Sequence, residues 1–142
     1  MSKENASRDI YARLYQKLKQ VVPDLLTIEE SGKSKVEGFM DLHLDVIYKR
    51  SNRIIIALSH YYRHSSGDMI PDPDVQLAVY PKLEQAETLA YQDSFCYREV
   101  YRDDQGTEDI KAKKELNAFL DQWLSNLIEL GHCIKPDGAE DA

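Results

Sequence analysis

Apolar side chains near the start of the chain recur at helical spacing: Ile10, Leu14, Leu18 and Val21, widened into a stripe by Tyr11, Tyr15 and Val22. Ser7 stands where an N-cap would sit. Pro23 ends the run, because the residue before a proline is biased out of the helical region. A second and longer stripe comprises Leu116, Phe119, Leu120, Trp123, Leu124, Leu127 and Ile128. Thr107 is the expected N-cap of this helix and Gly131 its C′ residue.

Between the stripes the period falls to two. Met40, Leu42, Leu44, Val46 and Tyr48 alternate along one strand, Ile54, Ile56 and Leu58 along the next, and Val75, Leu77 and Val79 along a third. "AETLAYQDSFCYREVY" supplies a fourth, with a break near Asp93-Ser94 that would divide it into a fourth and fifth. "HSSGDMIPDPD" reads as a loop punctuated by Gly67, Pro71 and Pro73. The pattern predicts an α+β protein: an antiparallel meander of four to five strands with N-terminal and C-terminal amphipathic helices packed on one face. Residues 1–132 would form a single domain and residues 133–142, polar and acidic, a flexible tail.

The hairpin between the first two strands decides which side chains face outward. A two-residue loop, Ser51-Asn52, pairs Arg50 with Arg53 and places His43 opposite His60, about 5 Å apart at Cβ, a nucleus for a metal site. It also mixes the apolar sets of the two strands across both faces. A three-residue loop, Arg50-Ser51-Asn52, gathers Met40, Leu42, Leu44 and Val46 with Ile54, Ile56, Leu58 and Tyr62 on one face. Burial summed over these side chains, each worth roughly 1.5–3 kcal/mol, favours the second register. The outer face then carries Asp41, His43, Asp45, Ile47, Ile55, Ala57, Ser59, Tyr61 and Arg63, with His43 opposite Ser59, Ile47 opposite Ile55, and His60 turned inward. Asp41, His43 and Asp45 become a polar strand face rather than a metal centre. His64 and His132 fall in the loop and the tail.

Composition narrows the class. The 142 residues, 42% hydrophobic and 30% charged, are those of one globular domain, and the net charge of −7 argues against a dedicated phosphate-backbone binder. The densest basic cluster, Lys49, Arg50 and Arg53, surrounds the hairpin tip and reads as a solvated turn. No apolar run reaches the ~18 residues of a membrane span, and "MSKENASRDI" carries no signal-peptide core, so a cytoplasmic protein is expected. Cys96 and Cys133 lack metal or redox spacing and read as reduced thiols. Glycine-rich phosphate loops, Gly-x-Ser-x-Gly and His-Glu-x-x-His are absent from the sequence, and no cofactor is implied. Tyr61, Tyr62, Tyr80, Tyr91, Tyr97 and Tyr101 read as amphipathic packing.

"ELNAFLDQWLSNLIELGH" resembles the closing segment of the YqiB-like family, a set of small uncharacterised bacterial proteins, through Asn117, Phe119, Leu120, Trp123, Leu124 and Gly131. "LKQVVP" is similar to that family's first helix, ending at Pro23, and "VQLAVYPKLEQAE" to its strand–turn–strand, with Tyr80, Ala86 and Glu87 in matching places. The likeness spans most of residues 10 to 132, and the Trp123 helix is its distinctive part. The chain departs from it at Pro81-Lys82, where the family has His-Asp, and matches only Asp109 and Lys111 of an Asp-Glu-Lys segment. The resemblance implies the architecture and no activity. The expected function is non-catalytic binding through the outer sheet face, to a second copy or to another protein, using the apolar patch rimmed by polar groups. The alternative is a small-molecule or metal-assisted enzyme with Asp41 or Asp45 as base and His43 as acid/base or ligand.

Overall fold

A computed structural model describes residues 3–63, 66–67, 69–101 and 108–137. Helix α1 spans Lys3–Val21, followed by strands β1 (Ser31–Ser34), β2 (Leu42–Arg50), β3 (Arg53–Arg63), β4 (Met69–Tyr80), β5 (Gln85–Gln92) and β6 (Tyr97–Glu99), helix α2 (Ile110–Leu130) and strand β7 (Lys135–Pro136). The strands form one antiparallel sheet in the order β6-β5-β4-β3-β2-β1-β7. The class is α+β as the pattern required, with seven strands among the described residues instead of four to five.

The additional strands lie where side-chain alternation is silent. "SGKS" of β1 carries no apolar residue, yet Gly32 and Ser34 point inward, opposite Leu44 and Leu42. A Cβ on Gly32 would meet the Lys135 carbonyl oxygen at 2.6 Å and Ile134 Cγ2 at 2.8 Å, so β7 passes too close for any side chain. The supposed loop also contains strand: β4 begins at Met69 and includes Pro71 and Pro73. Prolines are tolerated there because β5 ends at Gln92, opposite Asp74, leaving the first part of β4 unpaired on that side.

The β2–β3 hairpin combines both registers considered above. Its tip is the two-residue loop, with Arg50 opposite Arg53 and Tyr48 opposite Ile55. A bulge at Ile47 then shifts the pairing, so that Val46 faces Ile56, Leu44 faces Leu58, His43 faces Ser59 and Leu42 faces His60. The three-residue loop is therefore incorrect, and the apolar alignment it was invoked to achieve is present. One inserted residue absorbs the conflict between turn and core.

The inner face of β2–β5 and the stripes of both helices enclose the core, with Leu14, Leu18, Leu42, Leu44, Ile56, Leu58, Leu77, Leu120, Leu124 and Leu127 almost fully buried. The helices approach the sheet most closely at β5. There α2 also shields an edge: the Thr88 N–H donates to Asn117 Oδ1 at 2.8 Å, inside the protein. α1 starts upstream of Ser7, so that serine lies within the helix and is not its cap. Asp109 caps α2 by accepting from the Ala112 N–H at 2.9 Å; Thr107 lies outside the described residues. Gly131 ends the helix with φ 91°, in the left-handed region.

Asp121 on α2 clamps the helices together, accepting from Arg13 Nε and Nη2 at 3.1 and 3.2 Å and from Lys17 Nζ at 2.7 Å. Burial raises the Asp121 pKa, but the two cations outweigh it and hold the carboxyl below its usual range. A depressed acid stabilises the fold above its unfolded pKa of about 3.9, and the contribution disappears as pH falls through the folded value. Asp121→Asn should cost about 1 kcal/mol at neutral pH in a urea titration, and less in high salt.

The tail is also corrected. Ile134 is 1% exposed and its N–H donates to the Val21 carbonyl at 2.7 Å, while Asp137 N–H donates to Ser31 O at 2.9 Å. Residues 132–137 thus close the sheet; residues 138–142 lie outside the described set. No helix among the described residues is long and apolar enough to cross a membrane.

Candidate functional site

The outer face is built from cross-strand rows. One row runs Lys33–His43–Ser59–Asp74–Gln92–Tyr97, the next Ser31–Asp45–Ala57–Gln76–Ala90–Glu99, and a third Tyr48–Ile55–Ala78–Glu87. Its floor is of small side chains: Ala57, Ala78 and Ala90 are buried between longer neighbours. The bulge changes the apolar patch, because Tyr48 and not Ile47 faces Ile55, while Ile47 itself is 53% exposed and Tyr48 41%. Arg50 lies over the Tyr48 ring, its Cζ 5.7 Å from the centroid.

The expected site residues are distributed as follows. Asp41 is half-buried and precedes β2; its carbonyl accepts from His60 Nδ1–H at 3.1 Å. His43 is half-buried beside Lys33 and Ser59, Asp45 is exposed beside Ala57, Ile55 is half-buried, and Ser59 is buried. Tyr61 and Arg63 lie in β3 opposite Pro71 and Met69, and their side chains are outside the description. His43 and His60 therefore occupy opposite faces. Among the described residues no group of three or more His, Cys, Asp or Glu side chains could hold a metal ion. Both cysteines are free and exposed.

Charge on the central strands β2–β4 of this face is unevenly placed, with Lys33 of β1 and Glu87 of β5 flanking them. Arg50 and Arg53 mark the hairpin end, and Asp45 and Asp74 lie toward the other end. Asp74 Oδ1 is buried without a hydrogen-bond partner among the described residues, a costly state for a carboxylate oxygen.

A second constellation escaped the sequence reading. Glu87 accepts from Tyr80 Oη at 2.8 Å and from Tyr101 Oη at 2.6 Å, beside a cavity of about 130 Å³ lined by Tyr11, Tyr80, Gln85, Ala86, Glu87 and Lys113. Burial and then the Glu87 carboxylate push both phenols up, so they remain protonated donors at neutral pH. Burial works against the Lys113 charge, but Glu108, Tyr101 and Tyr11 hold the ammonium above its usual range. Both Glu87 oxygens already accept phenol hydrogens, which makes this a structural network tying β4, β5 and the segment after β6 at Tyr101. The separation of Tyr80 and Glu87 across the Pro81–Glu84 turn was the available signal.

A family model described as a domain of unknown function (DUF6908) matches residues 9–133. No curated protein and no solved structure matches the chain.

Proposed function

We propose, on the premise that the chain belongs to the DUF6908 family, that it is a non-catalytic cytoplasmic interaction module whose outer sheet face binds a second copy of itself. The observation that carries this reading is the bulge at Ile47, which turns Ile47 and Tyr48 toward solvent above the flat alanine floor. β-Branched and aromatic surface of this kind is stabilised by being covered. Charge supports a two-fold arrangement. With the strands of two copies antiparallel, Arg50 and Arg53 of one meet Asp45 and Asp74 of the other, and the same patch is buried on both. The YqiB-like resemblance of the Trp123 helix, with the bacterial origin it implies, belongs to this reading as well.

The enzyme alternative gains little from the same geometry: β3 offers Ser59 to His43 and Ala57 to Asp45, neither of which is a carboxylate or imidazole. Replacing Ile47 and Tyr48 together with Glu should yield a folded monomer, because both side chains are exposed and neither belongs to the core. Size-exclusion chromatography with light scattering, alongside circular dichroism, is the test. A double variant that associates as the wild type does would refute the proposed surface.

A further inference from the structure

We propose that residues 132–137 form an acid-released latch: His132, buried against His60, holds the C-terminal strand on the sheet while it is neutral, and a proton taken up there lets the strand go. This goes beyond the outer face and does not depend on it.

His132 is 3% exposed. Its Nδ1 is hydrogen-bonded to Ser34 Oγ at 2.9 Å, and that oxygen also accepts from the Cys133 N–H at 2.9 Å. Its Nε2 is buried with no hydrogen-bond partner among the described residues. The His60 ring lies 5.7 Å away, centroid to centroid, and stands edge-on to Trp123 at 5.5 Å. Because a carbonyl can only accept, the bond to Asp41 O fixes the His60 proton on Nδ1. A neutral His132 fits this pocket with its proton on Nδ1, donated to Ser34 Oγ. A protonated one would add an N–H at Nε2, aimed where nothing among the described residues accepts it.

The charged groups acting on His132 are few. β3 presents His60 and the segment before β2 presents Asp41, whereas β1 contributes the uncharged Ser34 and α2 reaches His60 through the uncharged Trp123. Cys133 and Lys135, on the latch itself, are exposed. Burial and then His60 lower the His132 pKa from 6.5, and Asp41 only partly opposes them. The undocked segment therefore binds the proton more tightly than the docked one. Docking is fully stable above about pH 6.5 and weakens as pH falls below it, by up to tenfold in the docking equilibrium per pH unit.

The latch is further held by Ile134 in the core, by the His132–Leu127, Ile134–Val21 and Asp137–Ser31 backbone bonds, by the Ser31 hydroxyl donating to the Asp137 carboxylate at 2.8 Å, and by the two-residue pairing of β7 with β1 across Gly32. Such a segment opens before the sheet does. Its release bares the outer edge of β1.

Peptide-resolved hydrogen exchange on the full chain tests this, at pH 7.5 and 5.5 with rates corrected for intrinsic exchange. Protection of residues 132–137 should fall by up to about tenfold at pH 5.5 while β3 and β4 keep theirs, and His132→Gln should abolish the difference. Equal latch protection at both pH values would overturn the proposal. So would simultaneous loss across the sheet, or an unchanged pH response in His132→Gln. Should that variant fail to dock its latch at pH 7.5, the wild type still decides by NMR: a His132 imidazole titrating at or above 6.5 contradicts the mechanism.

Discussion

Trp123→Ala should lower the unfolding free energy by about 3–5 kcal/mol, a large share of the 5–15 kcal/mol typical of a domain. The indole is 8% exposed in the middle of the α2 stripe, stacked on Phe119 at 5.9 Å and met edge-on by His60 at 5.5 Å. Removing it leaves a void between α2 and the far end of β3. Urea denaturation should show a lower midpoint at an unchanged slope, and an unaltered midpoint would place Trp123 outside the core.

Ile134→Ala should cost about 2 kcal/mol, the low end of the range for emptying a buried isoleucine. Ile134 is 1% exposed and packs over Gly32. The loss is bounded because a weakened C-terminal segment undocks before the sheet unfolds, after which nothing more is forfeited. Ending the chain at Gly131 should destabilise to a similar extent. A truncated protein as stable as the full chain would mean that β7 contributes nothing to the fold.

Both helices were legible in the sequence because each stripe contains seven apolar or aromatic residues at one period, and Pro23 and Gly131 punctuate them. β2, β3 and the second half of β4 from Val75 were legible from alternation, whereas Met69–Asp74 of β4 was hidden behind Pro71 and Pro73. What was missed shares a physical cause: the decisive interaction is between backbones, or between side chains that only the register brings together. "SGKS" forms β1 through backbone pairing and a glycine needed for close approach. Ile134 is a single apolar residue between Cys133 and Lys135, without a period to reveal it. The bulge at Ile47 reconciles a tight Ser51-Asn52 turn with a one-sided core, and neither strand's pattern alone contains it. On the outer face, His43 opposite Ser59 followed from the apolar pattern, whereas the replacement of Ile47 by Tyr48 opposite Ile55 did not. The Glu87 network needed the β4–β5 register to bring Tyr80 beside it.

The proposed self-association is most directly measured by sedimentation equilibrium of the wild-type chain over a concentration series reaching about 1 mM, which detects dimers as weak as roughly −4 kcal/mol. The account predicts a mass rising from 16.4 kDa toward about twice that value, with the rise suppressed by salt as the Arg50, Arg53, Asp45 and Asp74 contacts are screened. A single species of 16.4 kDa across the whole series would contradict it.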